Sequence, residues 1–94
     1  MAQVYFQYFY MEALTAGVQV KPNEGQLEVI TIGVAGTGGN VLILYDGTST
    51  SDPKIATLDM TVAIGPLPLP VKFFTGLFAA LVNGTAAKVT ICWS

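Results

Sequence analysis

The sequence predicts an all-β fold: a compact antiparallel β-sandwich or jelly-roll-like barrel of seven to eight short strands. Three observations lead there. No segment carries a helical apolar stripe. The apolar residues fall in short runs, and most of the ten glycines and five prolines lie between those runs. Turn signals recur about every ten residues, the spacing of sandwiches and small barrels. A length of 94 residues and 52% hydrophobic content fit one domain, residues 1–94, with one core. Residues 1–16 are a candidate interface strand or arm within it.

Residues 3–10 form the first expected strand. Alternation places Val4, Phe6, Tyr8 and Tyr10 on one face, and Tyr5 and Phe9 on the other beside Gln3 and Gln7. Both faces are partly apolar, unlike a strand with one wet side. Residues 18–21 are a short second strand, ended by the turn Pro22-Asn23-Glu24-Gly25. In residues 26–34, Leu27, Val29, Thr31 and Gly33 alternate against Gln26, Glu28, Ile30 and Ile32. Residues 35–40 (AGTGGN) read as a flexible loop. Residues 41–45 (VLILY) lack polar alternation, as a central strand buried on both sides does.

Asp46-Gly47 signals a turn, and its loop runs through Asp52-Pro53. Residues 54–62 alternate, with Ile55, Thr57, Asp59 and Thr61 opposite Ala56, Leu58, Met60 and Val62. The segment 65–70 (GPLPLP) is excluded from a central strand, because proline lacks a ladder donor. It should cross an edge or connect two sheets. Residues 71–74 and 76–82 are further short strands, and Asn83-Gly84 is a hairpin turn signal. In the last strand, residues 87–93, Ala87, Val89, Ile91 and Trp93 face one way, and Lys88, Thr90 and Cys92 the other.

Charge excludes several functions. Four lysines and six acidic residues give a net charge of −2, and histidine is absent. Arginine is absent too, so the chain has no imidazole base and no guanidinium fork for phosphate or carboxylate. Four scattered lysines make no basic patch, so nucleic acid is not an expected partner. The longest apolar stretch, residues 73–82, is half the roughly 20 residues of a membrane helix, and no membrane association is expected. The first ten residues do not resemble a signal peptide. With the one unpaired cysteine, this suggests synthesis in a cytosol. Asn83-Gly84-Thr85 fits a glycosylation sequon but reads more simply as a turn.

No constellation carries catalytic chemistry. Asp46 and Asp52 could offer two carboxylates to calcium, but their spacing is not that of an EF-hand, and an Asp-Gly turn followed by an Asp-Pro turn accounts for them. Nothing marks a raised-pKa acid for glycoside hydrolysis. Cys92 lacks an imidazole partner and is expected to be structurally buried. Gly36-Thr37-Gly38-Gly39 is glycine-rich without a following GK[ST], so it is a connection rather than a phosphate loop. An enzyme is not expected, and no cofactor is implied. Low charge and clustered aromatics point to surfaces covered by other chains. The interface candidates are Tyr5, Phe6, Tyr8, Phe9, Tyr10, Leu67, Pro68, Leu69, Pro70 and Trp93.

Residues 41–60 (VLILYDGTSTSDPKIATLDM) and 71–93 (VKFFTGLFAALVNGTAAKVTICW) resemble a recurrent type of small bacteriophage virion protein. The matching pieces are Leu44-Tyr45-Asp46-Gly47-Thr48-Ser49, Phe74-Thr75-Gly76-Leu77, and residues 84–90 (GTAAKVT), about half of the chain. The resemblance implies a capsid decoration or cement protein on the virion exterior, made in the host cytoplasm. It would bind the major capsid protein of the assembled shell and act as a homo-oligomer. Trimers would suit local three-fold positions. A head-fibre component is within the same resemblance. The alternative is a carbohydrate-binding or host-attachment module on the virion surface, with tyrosines and Trp93 stacking on sugars.

Overall fold

Alternating apolar residues between glycine, proline and asparagine turns give eight strands and no helix among the described residues, 7–62 and 64–94 of a computed structural model. They are β1 (Gln7–Met11), β2 (Thr15–Lys21), β3 (Gly25–Val34), β4 (Val41–Asp46), β5 (Lys54–Asp59), β6 (Gly65–Phe73), β7 (Leu77–Val82) and β8 (Lys88–Trp93). All pairings are antiparallel. The first sheet has the order β1-β8-β3-β6 and the second β2-β7-β4-β5. Two four-stranded sheets wound in this order make a jelly roll. Only the β4–β5 connection stays within one sheet; the others pass from sheet to sheet.

The core lies between the sheets. Leu27, Ile30, Val89 and Ile91 of the first sheet meet Leu42, Leu44, Ala79 and Leu81 of the second, with Phe73 and Trp93 filling one end. Strand β4 is central, between β7 and β5, as its unbroken apolar run suggests, but it is not buried on both sides: Val41 and Ile43 are half-buried, because a sandwich covers only one face of each sheet.

Three local features depart from simple alternation. In β3 the pairing register shifts between Leu27 and Val29, so Leu27 points inward with Ile30 and Ile32 instead of outward with Val29. A bulge adds a residue and turns the side chains over. The proline run is itself part of an edge strand: among the described residues, β6 pairs with β3 on one side and with no strand on the other. Asn83 and Gly84 both have positive φ, 69° and 63°, as a tight turn of this composition demands. They join β7 of one sheet to β8 of the other, so the turn is not a hairpin.

Polar groups fasten the two ends. At one end Asn40 is fully buried. It donates to the carbonyls of Val82 (3.1 Å) and Asn83 (3.0 Å) and accepts from the N–H of Ala87 (3.0 Å). Thr37 and Thr85 bridge beside it. The AGTGGN loop is therefore anchored across the 83–87 connection rather than free. At the other end the Gln19 amide donates to the carbonyls of Lys21 (2.7 Å), Gly47 (3.2 Å) and Leu77 (2.8 Å).

Candidate interaction surface

Strand order determines what the first sheet shows to solvent. Phe9 and Met11 of β1 turn inward, so Tyr8 and Tyr10 turn outward. Register then aligns Tyr8 with Cys92, Cys92 with Val29, and Val29 with Pro68. A second row runs Tyr10, Thr90, Thr31, Pro66. These eight side chains cross the whole sheet and include no charge. None is buried, and Tyr8 is 72% exposed. The aromatic strand and the proline strand, far apart in sequence, thus flank two uncharged rows, beyond which exposed Lys88 stands on the same side of β8.

The sequence-derived candidates divide accordingly. Tyr8, Tyr10 and Pro68 lie on this face, and Pro70 is exposed where β6 bulges. Phe9 and Leu69 pack against the core, and Leu67, 40% exposed, sits at the edge opposite Ile30. Trp93 is 5% exposed and belongs to the core, which removes it as a contact or sugar-stacking residue. Tyr5 and Phe6 lie outside the described residues. Cys92 was expected to be buried; it is half-exposed, because β8 is covered on one face only. Val62, Ile64 and Phe74, exposed by 73%, 71% and 69%, are apolar surface residues that the sequence reading did not single out. Val62 and Ile64 lie in the charge-free stretch from Thr61 to Val71, while Phe74 lies past it, with the Lys72 ammonium 5.4 Å from its ring centre.

The carboxylates have structural work. Asp46 accepts from the backbone N–H groups of Phe74 (3.0 Å), Thr75 (2.8 Å) and Gly76 (3.4 Å). Partial desolvation pushes its pKa up, but these three N–H groups outweigh that and hold it below the ordinary value. Asp52 closes its own loop, accepting from the N–H groups of Thr48 (2.7 Å) and Ser49 (3.1 Å). Asp59 is held low by the Thr61 hydroxyl and N–H. The Tyr10 hydroxyl donates to Glu12 at 3.3 Å. Its pKa is raised, by desolvation first and then by that carboxylate. Among the described residues, no three His, Cys, Asp or Glu side chains gather as a metal site.

With this geometry in place, the chain can be set beside known proteins. No protein-family model matches it, and no curated protein does. Among solved structures it is similar to the core of Drosophila NLP, a nucleoplasmin-type core whose crystal structure addresses pentamer formation and histone binding. The TM-score is 0.61 and the identity 18%, covering 97% of each chain. The likeness defines the class of fold, a nucleoplasmin-like β-sandwich.

This finding overturns the bacteriophage reading. The match is to a histone-binding core, not to a phage virion protein, a capsid decoration or cement protein, or a carbohydrate-binding module. The expected major capsid protein partner falls with it. The reason is visible in the structure. Two of the three matching pieces, residues 44–49 and 74–77, form one knot: Asp46 of the first receives the N–H groups of the second. The third begins at the turn that Thr37 braces through Thr85. All three are end-fastenings of a sandwich, which many unrelated proteins need.

Proposed function

We propose that this chain is a non-catalytic assembly module: a jelly-roll subunit that self-associates by covering the uncharged rows of the first sheet and the edges beside them. The observation that carries the reading is the pair of four-residue rows, Tyr8 to Pro68 and Tyr10 to Pro66, without a charge across the sheet. Soluble monomers seldom leave large apolar patches open, and the exposed Tyr8, Tyr10, Pro66 and Pro68 of these rows suit a covered surface. Permanent interfaces are depleted of charge in the same way. The match to a pentamer-forming core over 97% of each chain supports self-association. Light scattering on the eluting protein tests it. A mass that is a multiple of 9.9 kDa is expected, and 9.9 kDa at tens of micromolar contradicts it.

A second reading is favoured by charge. Each copy carries −2 and the isoelectric point is about 4.6, so a ring of five, as in the neighbour, would carry 5 × −2 = −10. Such an acidic assembly would attract a basic protein partner, as the neighbour binds histones. The attraction would be diffuse, since the six acids form no run and Asp46, Asp52 and Asp59 are engaged in turns. Cosedimentation with core histones at low salt that is lost at high salt would support it; absence of binding at low salt would end it.

A further inference from the structure

The chain has three asparagines, Asn23, Asn40 and Asn83, and one Asp-Gly step, Asp46-Gly47. The side-chain carbonyl carbon of such residues is open to attack by the backbone nitrogen of the next residue, which closes a five-membered succinimide. The attack needs an unheld side chain, a free N–H on the following residue and little bulk there, which glycine supplies. Three of the four positions fail. Asn40 is fully buried, and its amide is engaged as donor and acceptor. Asp46 is held by the N–H groups of Phe74 and Thr75, and the Gly47 N–H donates to the Gly76 carbonyl at 3.0 Å. Asn23 is exposed but precedes Glu24, whose side chain crowds the attacking nitrogen. Asn83 meets every condition. It is exposed, and so is Gly84. Among the described residues, neither the Asn83 side chain nor the Gly84 N–H makes a hydrogen bond; this turn is fastened through the Asn83 carbonyl, which accepts from Asn40 at 3.0 Å, and through Thr85, whose N–H donates to the Thr37 carbonyl at 2.9 Å.

We infer that Asn83 is a site of spontaneous deamidation, with water as the only co-reactant. The Gly84 nitrogen bonds to Asn83 Cγ and the Cγ–Nδ2 bond breaks. The proton of the Gly84 N–H leaves with the amide nitrogen as ammonia. Water then opens the ring at Cγ, leaving aspartate, or at the main-chain carbonyl carbon, leaving isoaspartate. Nothing is oxidised or reduced. Either product makes the formal charge −2 − 1 = −3. Isoaspartate does more. The carbonyl that Asn40 holds becomes a free carboxylate, and the main chain runs through the former side chain, one methylene longer. The turn has no room for that length, since a single carbon added to Gly84 would already strike the carbonyls of Thr37 and Gly38. The lengthened turn must pull away from residues 36–39, taking with it the Thr37–Thr85 bridge and the Asn40–Asn83 bond. Deamidation thus acts as a clock that unfastens this end of the sandwich.

Ageing the wild-type protein tests this. Folded and urea-unfolded samples are held at mildly alkaline pH until the unfolded chain has converted, then digested with trypsin. Residues 73–88 form one peptide containing Asn83; residues 1–54, with cleavage blocked or incomplete before Pro22, carry Asn23, Asn40 and Asp46. In the folded sample, loss of the side-chain amide by mass, and labelling by an isoaspartate-specific carboxyl methyltransferase, should be confined to residues 73–88. The converted fraction, separated by ion exchange, should melt below the unconverted protein. An Asn83 that stays intact in the folded sample, or equal conversion within residues 1–54, overturns the assignment. A converted isoaspartate fraction that melts with the unconverted protein overturns the loss of fastening.

Discussion

Replacing Asn40 by alanine should be the most damaging single polar change in this protein. The side chain is fully buried and all its hydrogen-bonding groups are used. In Asn40→Ala the N–H of Ala87, a fully buried residue, loses its acceptor. An orphaned buried donor costs about 1–3 kcal/mol. The carbonyl of half-buried Val82 adds about 1 kcal/mol, while the exposed Asn83 recovers its bond from water. The sum is about 3 kcal/mol. At about 4–8 °C per kcal/mol for a domain this size, the melting temperature should drop by about 12–24 °C. Thermal unfolding by circular dichroism reads this, with emission from the buried Trp93, the only tryptophan, as a second probe. Wild type and variant must be compared at one concentration, because association raises apparent stability. Asn40→Asp can still accept from Ala87 but loses both donations, so it should also be destabilised, and less so at pH 4 than at pH 7. A drop below about 3 °C for Asn40→Ala would refute the claim that this amide fastens the end of the sandwich.

Asp46 makes stability depend on acid. Its folded pKa is depressed, so its contribution is present above the ordinary aspartate range, near 4, and disappears as pH falls through the folded value. Asp46→Asn should lose about 1 kcal/mol at pH 7 and show a flatter melting-temperature profile below pH 4; an unchanged acid limb would contradict this. Gly84→Ala should cost over about 2 kcal/mol in urea unfolding, since its φ is +63° and a methyl would strike the Thr37 carbonyl. Gly39→Ala, at φ +76° with open space around it, should cost only about 1 kcal/mol. Equal losses would show that the close approach does not matter. Replacing Pro66, Pro68 and Pro70 together with threonine should give β6 an edge rich in donors and accelerate thioflavin-positive aggregation; unaltered solubility would argue that the prolines are not guarding it.

Much of the fold was legible because strand alternation and turn chemistry are local. The inward run Val89, Ile91, Trp93 and the central placement of VLILY followed from periodicity alone. The bulge at residue 28 was not legible, because nothing in QLEVI distinguishes a bulged strand from a straight one. The surface was half legible. That Tyr8 and Tyr10 share a face followed from alternation, and the edge position of the proline run from its missing donors; which face of β1 turns outward did not follow, since both faces are partly apolar. Their meeting on one face did not, since it depends on β8 and β3 lying between them, a pairing order set by contacts distant in sequence. The motifs that suggested a phage family failed for the converse reason. They were recognised correctly as turns, but turns report how a sandwich is fastened and not what it binds.

Self-association through the uncharged rows of the first sheet is tested most directly by Tyr8→Glu, read by light scattering at the concentration used for wild type. Tyr8 is 72% exposed, so the substitution leaves the core intact. The wild type should run at a multiple of 9.9 kDa and the variant at 9.9 kDa. A variant that keeps the wild-type mass, or a wild type at 9.9 kDa, would contradict the account.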